Sequence, residues 1–357
     1  MNPKHIAVDD TIMRVNMPVM STTEIFRGYL SPIDAHVITL LEANDYTINS
    51  VPLSQNFGTD LSELPLQQVR EVFKGDISAC LVNDPFGSFK QLATKENLIF
   101  LQPSYASVSR YGLVQHVPSM DQIGILAKDI STAYELLSVI QSIDPKDGVM
   151  TERNTVSLTP NKLEARVAFD ASLLNSTNDE YGELLNSIAK DLNAVDVKLI
   201  YFDISKQVMT ILAAAELSHS INRYDGVRFG YRSADASNLE EIYEKSRSES
   251  FSIGMKLFGI LGVFVLSQNN SKRYYEQAMK LRRMIKESLD YVKYDVILLP
   301  TEINGNNYTN LAIFSQAPLA GLASLTFSKG NCGIQLLAKP YHEQQLLETY
   351  NRIISKD

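Results

Sequence analysis

Short apolar runs and amphipathic helical stretches alternate along nearly the whole chain, and no other feature limits its fold as tightly. Val296-Ile297-Leu298-Leu299-Pro300-Thr301 reads as a strand ending at a proline. Ile6-Ala7-Val8, Val197 to Phe202, Leu325-Thr326-Phe327 and Gly333-Ile334-Gln335-Leu336-Leu337 read as further strands. Helical patterns lie between them. Ser31 is placed to cap a helix with Pro32 in its first turn and Ile33, Val37, Leu40 and Leu41 along its apolar stripe. Leu66 to Phe73 forms a second helix that stops at Gly75. Ser131 to Ile143 ends before Pro145, which cannot continue a helix and disfavours helical geometry at Asp144. Glu180 to Leu192 and Met209 to Ile221 follow, then a long pair, Leu239 to Leu266 and Lys272 to Val292, and a closing helix from Glu343 to Ile354. This interleaving predicts an α/β layered fold with a mixed sheet. With no internal repeat, low-complexity tract or linker, a single domain over residues 1–357 is expected.

At 357 residues and 45% hydrophobic content, the chain can bury a large core. A net charge of -8 argues against a general nucleic-acid binder, which needs a basic face to release counterions. A local basic patch is compatible with that balance, so a tRNA-handling role is weakened rather than excluded. Cys80 and Cys332 stand far apart without metal-ligand spacing and read as core residues in a reducing compartment. Met1 to His5 is not followed by an apolar run, so no signal peptide is read there. The longest apolar run, Leu257 to Leu266, is about ten residues and too short to span a bilayer. The expectation is a soluble, cytoplasmic protein with no metal and no cofactor.

Two neighbouring segments carry the chemistry: Asp84-Pro85-Phe86-Gly87-Ser88-Phe89-Lys90-Gln91 and Pro103-Ser104-Tyr105-Ala106-Ser107-Val108-Ser109-Arg110-Tyr111-Gly112. Further on come Ser119-Met120-Asp121-Gln122-Ile123-Gly124, Asp144-Pro145-Lys146-Asp147, Arg223-Tyr224-Asp225-Gly226-Val227-Arg228-Phe229-Gly230, Lys280-Leu281-Arg282 and Leu319-Ala320-Gly321-Leu322. Together these resemble the amidase-signature family, and within it the A subunits of the tRNA-dependent amidotransferases, over essentially the whole chain. The resemblance implies an α/β/α sandwich around a central mixed β-sheet. It also implies acyl transfer from a carboxamide, by a serine nucleophile, a relay serine in a cis peptide and a buried lysine base.

Each catalytic position can be read against that pattern. Ser88 takes the nucleophile position, where the family reads Asp-Thr-Gly-Gly-Ser-Ile-Arg-Gln. The family lysine lies in Ile-Ala-Ile-Lys-Asp-Asn-Ile, whereas this chain reads Ile6-Ala7-Val8-Asp9-Asp10-Thr11-Ile12. A carboxylate at Asp9 cannot imitate a buried lysine, because burial moves the two pKa values in opposite senses. The glycine-rich relay loop is missing, and counting back from Asp84 puts Pro65 near that place. Ahead of Ser88, Pro85 has no N–H to offer an oxyanion and Phe86 replaces a glycine. Losing one such donor typically costs about 10²–10³ in rate. Arg282 matches an arginine that in this family pairs with the glutamine carboxylate, which makes it the candidate substrate-binding residue. Its ordinary reading is a solvated charge beside Lys280 and Arg283.

Two other arrangements compete with these. His116 follows the signature tyrosine and could serve as a new base for Ser88, but a Ser–His pair needs contact that spacing cannot supply. Asp9, Asp10 and Asp84 could converge on a cation, yet hard cations want six or more oxygen ligands, and ordinary structural aspartates are the plainer reading. The expectation is a degenerate amidotransferase A-subunit homologue, shortened at its N-terminus and around the nucleophile region. It would bind or scaffold rather than catalyse. Its partners would be amidotransferase-type subunits or a catalytic homologue, or a small amide or amino-acid ligand. The competing expectation is a divergent amidase or glutaminase that uses Ser88 with a rebuilt proton relay.

Overall fold

The computed structural model describes residues 4–54, 56–59, 64–151, 164–177, 179–303 and 307–355. Its strands are β1 (Lys4–Asp9), β2 (Tyr46–Val51), β3 (Ala79–Asn83), β4 (Ile99–Gln102), β5 (Ile123–Ala127), β6 (Val167–Phe169), β7 (Val195–Asp196), β8 (Val296–Pro300), β9 (Ala323–Lys329) and β10 (Cys332–Ala338). All belong to one sheet, ordered β2-β1-β3-β5-β4-β9-β10-β8-β6-β7. β1 runs parallel to β2 and β3, and β6 parallel to β7 and β8. From β3 through β5, β4, β9 and β10 to β8 the pairing is antiparallel, so the sheet is mixed.

The helices are α1 (His36–Ala43), α2 (Leu66–Phe73), α3 (Ser88–Lys95), α4 (Ile130–Ile140), α5 (Asp179–Asp191), α6 (Phe202–Ser220), α7 (Leu239–Ser250), α8 (Ile253–Leu266), α9 (Tyr275–Ser288), α10 (Asn307–Phe314), α11 (Gln316–Ala320) and α12 (Glu343–Ile354). Strand side chains alternate between faces, and the core divides accordingly. Ile6, Val8, Val296 and Leu298 join the cluster that packs under α1, α4, α5 and α12. Ala7 faces the opposite side, toward α2 and α3, and Ile297 and Leu299 face α10 and α11. Helical layers therefore cover both faces, as expected of an amidase-like α/β sandwich. Outside that layer α8 crosses α6 so closely that a Cβ at Gly262 would lie 2.2 Å from the Ala214 carbonyl oxygen, which requires glycine there. Among the described residues, no helix is long and apolar enough to cross a membrane.

Several elements differ from the sequence reading. The strand expected over Val197 to Phe202 is only Val195–Asp196. Beyond it Asp170 holds the Leu199 N–H at 2.8 Å, and Tyr201 turns the chain through a φ of 70° into α6. The helix expected to be capped by Ser31 starts at His36 instead. Ser31 is tied elsewhere, its backbone paired with Asn16 and Met17 and its hydroxyl donating to the Ile33 carbonyl at 2.7 Å. The long helix over Leu239 to Leu266 is two, because Ser252 accepts the Met255 N–H at 3.2 Å and starts α8 afresh. Cys80 is buried, whereas Cys332 is only partly so, and both are free.

Candidate functional site

β3 delivers the nucleophile turn. The chain leaves the sheet at Asn83, turns through Asp84–Gly87, and enters α3 with Ser88 as its first residue. Gly87 has a φ of 85°, and a Cβ there would come within 2.4 Å of the Phe314 side chain, so both conformation and space demand glycine. Asp84 accepts the Lys90 N–H at 3.0 Å and so satisfies one of the free donors of the first helical turn. The Lys90 ammonium folds back on the same residue, 3.3 Å from the Asp84 carbonyl and 3.6 Å from its carboxylate, above the Phe100 ring. Burial lowers the Lys90 pKa against the pull of Asp84. Lys90 is thus a buried lysine close in sequence to Ser88, but its ammonium is engaged with Asp84. The partly exposed Ser88 hydroxyl has no hydrogen-bond partner among the described residues.

Phe86 fills the space beside that turn. It is 3% exposed and belongs to an apolar cluster with Val117, Met120, Leu212 and Leu319, its ring edge-on to Phe258 at 5.6 Å. Ala278 and Ile285, which flank Arg282 along one face of α9, belong to the same cluster. Apolar packing therefore lies between the serine turn and the arginine helix.

At the end of β1, Asp9 is fully buried and holds a loop in place. It accepts hydrogen bonds from Leu53 N (2.8 Å), Ser54 N (2.9 Å) and the Thr11 hydroxyl (2.6 Å). That loop continues through Asn56, Phe57 and Gly58, all at positive φ, and brings Gly58 against Phe86. Leu53, Ser54 and Asn56 to Gly58 therefore lie beside the Asp9 and Phe86 positions. Pro65, which counting suggested, instead starts α2 and gives its carbonyl to Val69 N at 3.0 Å. Asp10 accepts from the Ser21 N–H and hydroxyl, while its other oxygen is buried without a partner. Burial, followed by the neighbouring Asp9, pushes the Asp10 pKa up to about 7. Asp9, Asp10 and Asp84 serve separate loops, and no group of metal-ligating side chains converges among the described residues.

His116 does not meet Ser88. It is buried edge-on to Phe57 with both ring nitrogens unpartnered, and burial pulls its pKa down to about 4, leaving a neutral imidazole. Arg282 is committed to backbone. Its guanidinium donates to Leu319 O (2.9 Å), Ser119 O (2.9 Å), Ser119 Oγ (2.7 Å) and Pro318 O (3.4 Å), and so caps the C-terminal end of α11. Burial lowers its pKa.

The other matched motifs frame these parts. Arg110 grips Asp147 through Nε (3.0 Å) and a terminal nitrogen (2.9 Å), and Ser109 donates to Asp144 at 2.7 Å. Asp121, fully buried, accepts from Asn83 Nδ2 (3.0 Å) and from the His116 (2.9 Å) and Val117 (3.0 Å) N–H groups, and so ties the end of β3 to the loop ahead of β5. Sequence reading missed the roles of Lys90 and of the loop residues Leu53, Ser54 and Asn56 to Gly58. Asp84 six residues ahead of Lys90 was a usable signal for the first, while the second had none, since its left-handed residues include Asn56 and Phe57 as well as glycine.

The sheet is covered by helices on both faces, and Ser88 opens the helix that follows β3. The profile of the Amidase family matches residues 83–347, and the chain belongs to that family. It is 31% identical over 391 residues to the glutamyl-tRNA(Gln) amidotransferase A subunit of Campylobacter lari, covering 96% of this chain and 86% of that protein. The corresponding protein of Lactobacillus acidophilus is 28% identical, with 96% and 82% covered. Among solved structures, the glutamyl-tRNA(Gln) amidotransferase A subunit from Thermotoga maritima superposes with a TM-score of 0.73 at 22% identity, over 98% of this chain and 82% of that one. The 6-aminohexanoate cyclic dimer hydrolase gives a TM-score of 0.78 at 14% identity, over 99% and 84%. Those two likenesses establish the fold.

Proposed function

We propose that this chain is a non-catalytic member of the amidase family that works by binding, as a scaffold or regulator beside amidotransferase-type subunits or a catalytic homologue. The observation that carries this reading is Phe86, a buried aromatic side chain packed with the face of α9 that bears Arg282. Asp9 adds to it, because the position expected to hold a proton-accepting lysine instead fixes the backbone of Leu53 and Ser54. Direct nucleic-acid contact is not part of the proposal, in keeping with the net charge of -8.

A binding role also suits the surface. α8 exposes Ile253 (75%), Leu257 (61%), Ile260 (69%) and Phe264 (48%), spaced four, three and four residues apart along one stripe. Such a stripe matches an apolar helix of another protein in a complex. In a co-purification with reconstituted amidotransferase subunits, Ser88→Ala is expected to leave association unchanged, and Leu257→Glu with Ile260→Glu to abolish it. Failure of the unmodified chain to associate, or association untouched by the α8 changes, counts against the reading.

One observation favours the competing reading, a divergent amidase or glutaminase. Ser88 keeps a partly exposed hydroxyl at the first turn of α3. A serine-directed acylating probe separates the two: stoichiometric labelling of Ser88 supports the enzyme, and no labelling supports the binding protein.

A further inference from the structure

Away from the serine turn, three of the matched motifs meet around one cavity. Its volume is about 510 Å³, and its walls include Tyr29, Tyr111, Lys146, Arg223, Tyr224 and Phe229. That size suits a small organic ligand. Neither Ser88 nor Arg282 lines it.

The walls are aromatic and the free charge is positive. Tyr29 and Phe229 pack at 4.8 Å, Tyr224 sits 4.9 Å from Phe26, and Phe57 backs Tyr224 at 5.5 Å. The one acid among the described lining residues, Asp147, already has both oxygens on Arg110. Arg223 and Lys146 have no carboxylate partner among the described residues, and the Lys146 ammonium lies 4.5 Å from the centre of the Tyr111 ring. Tyr224 is 5% exposed, and its hydroxyl has no described partner either. Burial, against the nearby charge of Arg223, pushes that phenol up to about 12, so it stays a hydrogen-bond donor at neutral pH. Tyr224 lines the cavity, so its hydroxyl is available to an acceptor that arrives with a ligand.

We propose that this cavity binds a small aromatic anion, with its ring against Tyr224 and Phe229 and its carboxylate or phosphate at Arg223 and Lys146. The ring uses the stacking surface, the two cations supply charge-assisted hydrogen bonds, and the Tyr224 hydroxyl donates to the anion. The site is independent of catalysis at Ser88.

Isothermal titration of the full chain with phenylacetate and with phenyl phosphate tests it, using benzyl alcohol, acetate and inorganic phosphate as partial mimics. At least one aromatic anion is expected to bind with a Kd of about 1 mM or tighter, the range open to a ligand of this size. Which of the two binds tells carboxylate from phosphate. Each partial mimic is expected to bind at least about tenfold more weakly than that anion. Arg223→Ser, an exposed position, is expected to weaken it about tenfold or more. Tyr224→Phe keeps the ring and is expected to weaken it several-fold, with circular dichroism confirming that both variants fold. Ser88→Ala is expected to leave it unchanged. The proposal is overturned if neither anion binds at about 10 mM, if benzyl alcohol binds as well as either, or if Arg223→Ser binds like the unmodified chain.

Discussion

His116 and Asp10 are both buried titratable groups, and their burial acts on stability in opposite directions. The His116 pKa is drawn from 6.5 to about 4, so the unfolded chain binds its proton first, and stability is lost as pH falls from about 6.5 toward 4. That loss is on the order of 3 kcal/mol. The Asp10 pKa is raised from 3.8 to about 7, so the folded chain keeps a proton that the unfolded chain gives up. Stability from Asp10 is present below about 4 and is lost as pH climbs toward 7. His116→Leu should therefore leave a protein that weakens steadily as pH rises from 4 to 7, whereas Asp10→Asn should leave one that strengthens over the same range. Urea denaturation across that pH series checks this, and parallel curves for both variants would contradict it. Legibility at this scale was uneven. Ser88 was read at the nucleophile position from the likeness of Asp84–Gln91 to the family loop, and the structure puts it at the first residue of α3. Pro65 was misplaced because counting through a rewritten loop cannot show that the loop held by Asp9 is what brings Gly58 against Phe86.

Arg282 ties α9 to the end of α11 and to Ser119, which in turn bonds Glu216 on α6. Arg282→Leu leaves several buried carbonyls without donors and should destabilise the protein by about 2–4 kcal/mol, seen as a lower urea midpoint. Arg282→Lys should recover only part of that, since one ammonium cannot reproduce the planar fork. A loss under about 0.5 kcal/mol, the range of an ordinary surface substitution, would mark the arginine as a solvated charge instead. On α8 the reverse holds. Leu257→Glu and Ile260→Glu lie on an exposed stripe and should leave the urea midpoint nearly unchanged. Elements with uninterrupted patterns were readable, including β8, α2 and α12. Val197 to Phe202 misled because its apolar run reads as a buried strand, whereas Asp170 holds the Leu199 N–H and Tyr201 turns the chain into α6. The break before α8 carried a signal in Ser252, but the charged stretch ahead of it and the apolar run after it both read as one helix.

At the scale of the molecule, the family frame is present, and the proposed function holds that the family site has been lost. The salt bridge of Arg110 with Asp147 and the buried carboxylate of Asp121 keep the signature segments in register. On the proposed reading, Phe86 and Asp9 serve packing and loop-holding where the family resemblance expects catalytic parts. The layered fold was legible because strand and helix periods alternate through the chain. The packing around Phe86 was not legible, since it depends on contacts remote in sequence. Phe86→Gly should create a cavity and cost about 3–5 kcal/mol. On the proposed reading it should not bring turnover, because Asp9 stands where the resemblance expects the base.

The most direct test of the proposed loss of catalysis is ammonia release from glutamine, asparagine and simple amides by the purified full chain, compared with its Ser88→Ala variant. The expected result is background release, equal for both proteins. Release above background that disappears in Ser88→Ala would contradict the non-catalytic assignment and restore the enzyme.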